Sequence, residues 1–155
     1  MSVQLFTKTT EANMVIQEEI KMFSRANKHI SVECAKDYSP AASLIALCFK
    51  SSTMAHFAHL QSSTLAEHKI LASFYKKIEK KADKYAEVYQ GRYGVIEVYP
   101  YIRLHTYCGV HIVETVREWI DEHRCHCGSQ AEIQAEIDEI VAFCDHILYK
   151  LHNLK

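Results

Sequence analysis

His56, His68, Asp83 and Glu87 are the residues of this 155-residue chain whose types and spacing could do chemistry. They follow the pattern H-x11-H-x14-D-x3-E, in a stretch that otherwise reads as an apolar helical hairpin. Imidazole nitrogen and carboxylate oxygen together suit iron, with zinc or manganese as alternatives. Helix rise adds a constraint. If one helix runs from His68 to Asp83, fifteen residues at about 1.5 Å each separate them by roughly 22 Å. A metal–ligand bond is about 2 Å, so no single ion bridges that span. For the four to act together, a second copy of the chain has to complete the site.

The elements that must position these residues are helices. Four glycines and two prolines leave little punctuation, which favours long helices over a many-stranded fold. Ser39-Pro40 supplies an N-cap and a proline at the first helical position, opening a helix to about Leu60 with Ile45, Phe49, Ser52 and His56 along one stripe. After the polar break Gln61-Ser62-Ser63, the run Thr64-Leu65-Ala66-Glu67 fits a capping box. The helix it starts carries Leu71, Tyr75, Ile78, Ala82, Tyr85 and Tyr89 on its apolar stripe, and Gly91 is its expected stop. Arg92 to Tyr99 reads as an ordered loop, and Pro100 is expected to open a helix reaching about His123, with Val113, Val116 and Ile120 toward the core. Gly109 inside it would either permit close helix approach or simply weaken the helix. Ser129-Gln130-Ala131-Glu132 reads as another capping box, leading a last helix with Ile133, Ile137, Ile140, Val141, Cys144, Leu148 and Leu151 at bundle spacing. A further helix is expected from Glu11 to about Ala26, with Ile16, Ile20 and Phe23 on one face.

On these residues the run from Leu44 through Gly91 resembles the first half of the starvation-type, DNA-protecting miniferritins, the Dps group of the ferritin-like superfamily. That family has a histidine near the end of its first long helix, a second twelve residues later, an aspartate fifteen residues on and a glutamate one turn beyond. His56, His68, Asp83 and Glu87 stand at those offsets, and Asp145 to Leu151 is similar to the family's last helix. The resemblance implies a ferroxidase centre shared across a twofold axis, with both histidines from one subunit and both carboxylates from its partner. It implies oxidation of Fe(II) by peroxide or oxygen, a ferroxidase-type oxidoreductase activity. Ala72 stands where the family usually adds an aspartate, Phe57 where a tryptophan follows the first histidine, and Tyr149 at another customary tryptophan. The family's short helix between the second and third bundle helices has no counterpart, and some 38 N-terminal residues are added. The chain is more similar to phage-encoded miniferritin relatives than to a standard bacterial member, which implies a viral protein.

His123, Cys125, His126 and Cys127 crowd one turn, but C-x-C without a second ligand pair is not a zinc-finger spacing, so a polar loop is the simpler reading. Lys76, Lys77, Lys80, Lys81 and Lys84 read as a solvated helix face, and most of the tyrosines between Tyr85 and Tyr107 as core or interface. Six cysteines in partly apolar helical pattern, with no secretory apolar core in MSVQLFTKTT, point to reduced thiols in the cytoplasm. Net charge is −1, with no lysine-rich tail, so nucleic acid is not an expected partner; no apolar run reaches the length of a membrane span.

The expectation is therefore an all-α, ferritin-like four-helix bundle with an additional N-terminal helix. Residues 1–155 form one domain, 1–38 an extension and 39–155 the bundle. It would be a homo-oligomer, at least a twofold dimer or a larger cage, binding iron (alternatively zinc or manganese) through His56, His68, Asp83 and Glu87. The alternative is a non-enzymatic helical module that sequesters a small ligand or a host protein through its loops and tyrosine-rich connection.

Overall fold

The computed structural model describes residues 38–104 and 108–154. The helix expected over residues 11–26, Cys34 and Tyr107 lie outside them. Four α-helices follow one another: α1 over Pro40–Gln61, α2 over Leu65–Tyr93, α3 over Gly109–His123 and α4 over Ala131–Asn153, with a 3-10 turn at Arg124–His126. There is no strand among the described residues, and no helix there is long and apolar enough to cross a membrane.

Local chemistry sets the first two helices. The Ala42 amide donates to Ser39 Oγ at 3.1 Å, and Pro40 occupies the first turn, where its missing N–H costs nothing. The Glu67 amide donates to Thr64 Oγ1 at 3.2 Å, so Thr64 caps α2 as its sequence promised.

Cross-helix contacts give the topology. Ser52 Oγ meets the Tyr75 carbonyl and Glu79, so α2 returns antiparallel to α1. Lys84–Glu136, Lys81–Glu139 and the Phe74–Phe143 ring pair set α4 antiparallel to α2. Arg117–Asp145 and Arg124–Asp138 set α4 antiparallel to α3. Gly109, opening α3, lies against Leu71 near the start of α2, so α2 and α3 run parallel. In the resulting square, α1 and α4 each pack on both α2 and α3. The centre is filled by Leu44, Leu71, Phe74, Ile78, Tyr85, Ile112, Ile120, Ile133, Ile137, Ile140 and Ile147, all nearly inaccessible to solvent. Each such aliphatic contributes about 1.5–3 kcal/mol of burial before chain entropy is set against it.

Three expected boundaries shift. Helix α2 runs through Gly91 to Tyr93 and ends at Gly94, whose amide donates to the Gln90 carbonyl and whose φ of +90° suits glycine. Gly91 has open space around it and is simply tolerated. Pro100 does not open a helix; α3 begins at Gly109. The connection must travel back along α2 from Tyr93 to the level of Leu71, about 33 Å by helix rise. Extended chain covers that distance, whereas helix at about 1.5 Å per residue does not. Finally, Ser129 does not cap α4. Its N-cap is Gln130, with no side-chain cap bond, and the Gln134 side-chain Nε2 instead donates to the carbonyls of Arg124 and Gly128. Gly109 does provide close approach: a Cβ there would sit 2.8 Å from Leu71 Cδ2.

Candidate metal centre

The turn joining α1 to α2 brings three imidazoles and a phenol together. His56, exposed in the last turns of α1, lays its ring on Tyr75 with centroids 4.2 Å apart and planes 14° from parallel. His59, one turn on, stacks on His68 at 3.7 Å and meets the edge of Tyr75 at 5.5 Å. Two reciprocal hydrogen bonds lock that stack. His59 Nδ1 is 2.7 Å from the His68 carbonyl oxygen, and His68 Nδ1 is 3.0 Å from that of His59.

A carbonyl can only accept, so both Nδ1 atoms carry the proton. Each neutral ring then has its lone pair on Nε2. A histidine that holds a metal through one nitrogen while donating the other N–H to a backbone carbonyl has this arrangement. The donor chemistry fits a transition metal at His68, and equally at His59. Helix α1 ends here because Ser62 closes it: its amide and Oγ both reach the His59 carbonyl, at 3.4 and 2.6 Å.

Asp83 and Glu87 lie elsewhere. Both are exposed on α2, and no hydrogen bond or ion pair engages either among the described residues. Because α2 is unbroken from Leu65 to Tyr93, Asp83 is about 22 Å and Glu87 about 28 Å from His68 along the axis. The structure thus brings the two histidines to one end of the hairpin and leaves the two carboxylates well down its second arm. Among the described residues no group of three or more His, Cys, Asp or Glu side chains could hold a metal within one chain. Ala72, one turn past His68, offers no donor. His59 escaped the sequence reading, although the H-x-x-H spacing of His56 and His59 was a signal for it.

The second candidate cluster is structural. His123 donates from Nδ1 to the Trp119 carbonyl at 2.9 Å and stacks on the Trp119 ring. Cys127 is buried; its thiol donates to the His123 carbonyl, and its own carbonyl accepts from the Tyr85 hydroxyl at 2.8 Å. Cys125 and His126 are exposed. Burial pushes the Cys127 thiol up to about 11, and burial together with the Asp145 charge pushes Cys144 up to about 12; Cys48 is raised further, mainly by burial. These thiols are held neutral in the fold and ionise near 8.5 in the unfolded chain. The raised values stabilise fully below about pH 8.5, and that stability is lost as pH climbs toward the folded values. Urea midpoints measured from pH 7 to 10 are expected to fall with pH, and less steeply in C127A/C144A. An equal slope in the variant would contradict this.

Of the lysine stretch, Lys81 and Lys84 bridge to Glu139 and Glu136 on α4, so part of it fastens helices. The tyrosines divide. Tyr85 is buried, Tyr89 half-buried and Tyr93 hydrogen-bonded to Gln130, whereas Tyr99 and Tyr101 are exposed.

Residues 59–151 match the model of a family of unknown function, DUF5856, a span of more than half the chain that includes His59, His68, Asp83 and Glu87. No curated protein and no solved structure matches.

Proposed function

We propose that this chain, which belongs to the DUF5856 family of unknown function, is a ferritin-like metal-binding protein whose site is assembled between two copies. His56 and His68 would come from one copy, and Asp83 and Glu87 from the other. The unbroken α2 supports the reading most directly: all four side chains reach solvent, yet helix rise keeps the two pairs about 22 Å apart within a chain. Antiparallel pairing of two α2 helices would bring each histidine end to the other's carboxylates. The single long crossover between α2 and α3 is the connection pattern of ferritin-like bundles.

Iron suits the mixed nitrogen and oxygen donors, with zinc or manganese as alternatives. When bound, iron would supply Fe(II) oxidation by oxygen or peroxide. The chain's own part is to present His68 Nε2 as a neutral lone pair, fixed by the Nδ1–H bond to the His59 carbonyl. Titrating the metal-free protein with Fe(II), Zn(II) and Mn(II) tests the proposal. Saturable, stoichiometric binding is expected; no binding of any of the three, with no Fe(II) oxidation above the buffer rate, would reject it.

A second reading, a non-catalytic helical binding module, is favoured by a different observation. The crossover from Val95 to Leu104 exposes Val95, Val98, Tyr99, Tyr101, Ile102 and Leu104, an apolar surface of the kind that marks a contact. H56A/D83A should leave binding intact under this reading and abolish it under the first.

A further inference from the structure

The crossover is self-complementary. About Pro100, the residues Ile96 to Leu104 pair aromatic with aromatic, aliphatic with aliphatic and acid with base: Tyr99 with Tyr101, Val98 with Ile102, Ile96 with Leu104, Glu97 with Arg103. We propose that this segment pairs with the same segment of a second copy, as an antiparallel two-stranded ribbon whose twofold axis passes at Pro100. In that register each Glu97 faces the partner's Arg103, and apolar residues face apolar residues. An isologous contact requires residue i to meet j while j meets i, and a chain of this pattern satisfies it.

The backbone agrees with the register. The segment runs from Gly94 to Leu104 without a turn or bend. In an antiparallel pair, residues alternate between exchanging both hydrogen bonds and exchanging none. With Pro100 opposite itself, the absence of its N–H requires the non-bonded kind. Positions 96, 98, 102 and 104 then also direct their amides away from the partner, while Glu97, Tyr99, Tyr101 and Arg103 direct theirs toward it. The Ile96 amide is indeed taken within the chain, donating to Gln90 Oε1 of α2 at 2.9 Å. The amides of Glu97, Tyr99, Tyr101 and Arg103 have no partner among the described residues, and neither do those of Val98, Ile102 and Leu104, so the Ile96 amide is the one that bears on the register. Glu97 and Arg103 side chains are likewise unengaged there.

Exposure leaves most of the segment open to a partner. Ile96 and Pro100 are half-buried and Ile96 packs on the core, so these two even positions sit toward the bundle, while Val98, Ile102 and Leu104 stay exposed and available to a partner. Val95 and Tyr101 are 79% and 60% exposed, with Glu97, Tyr99 and Arg103 also on the open side. A row of free amides flanked by apolar side chains is the feature that recruits another strand. Charge complementarity in one register selects a second copy of this chain as the occupant. The inference uses none of the metal-site residues and goes beyond the proposed function.

Charge reversal tests it on metal-free protein held in chelator, so that no ion can tie copies together. Sedimentation velocity across a concentration series reads the dimer, and far-UV circular dichroism checks the fold. E97R and R103E each place like charges opposite one another twice per dimer, and each is expected to weaken dimerisation about tenfold or more. The double variant E97R/R103E restores both pairs and should return to within about threefold of the parent. A chain that stays monomeric at about 100 µM, single variants that dimerise like the parent, or a double variant weaker than both singles would each overturn the pairing. A dimer insensitive to these substitutions refutes the ribbon alone, because metal titration of the same protein reads the other proposal separately.

Discussion

Replacing Asp83 and Glu87 together by alanine is expected to lower metal affinity by more than about 100-fold, since losing an outer-shell partner alone costs about 10–100-fold. Both carboxylates are exposed and unengaged among the described residues, so the fold does not depend on them. Unfolding free energy should move by less than about 0.5 kcal/mol. That separation makes the result readable: binding measured by equilibrium dialysis falls while the melting curve stays in place. H126A, on an exposed histidine outside the cluster, should leave affinity unchanged. A D83A/E87A protein that binds as tightly as its parent would remove the carboxylates from the site.

Phe74→Ala carries the largest expected cost in stability. Phe74 is wholly buried about a third of the way along α2, with its ring 5.8 Å from that of Phe143 on α4 and 10° from parallel. Deleting the ring removes its burial and leaves a cavity that four packed helices cannot close, at a cost of about 3–5 kcal/mol. Domains of this size have about 5–15 kcal/mol in total. The melting temperature should drop by about 10–20 °C. F74L, which keeps most of the volume, should lose far less. Phe74 also precedes Tyr75, on which His56 is stacked, so the variant should loosen the imidazole cluster as well. A loss below about 1 kcal/mol would mean that this ring does not fill the interior as described.

How much of this could be read in the sequence depended on how local its cause was. Ser39, Pro40 and Thr64 act on amides two or three residues away, and their roles were legible. So were the 3.6-residue stripes of α2, α3 and α4, because one buried face is a property of a single helix; Phe74 and Ile147, which the stripes omitted, still fall beside them. Gly91 and Gly94 look alike in sequence, and the one with positive φ is the cap. Pro100 misled because what rules out a helix there is distant: the chain must return along the length of α2. His59 was missed for a related reason. Its value comes from a bond to the His68 carbonyl across the hairpin, which the turn geometry creates and residue type alone does not reveal. The distance between His68 and Asp83, by contrast, needed only an unbroken helix, and α2 is one.

Mixing two defective chains measures most directly whether the site is shared. H56A/H68A keeps both carboxylates, D83A/E87A keeps both histidines, and each alone is expected to bind metal more than about 100-fold more weakly than the parent, leaving its sites empty at metal concentrations that saturate the parent. Refolded together in equal amounts, half the dimers pair one of each and rebuild one of their two sites, giving about a quarter of the parent's capacity. Recovery near that level is the expected result. A mixture as inactive as its components, from chains shown to exchange, would contradict a site built across two copies.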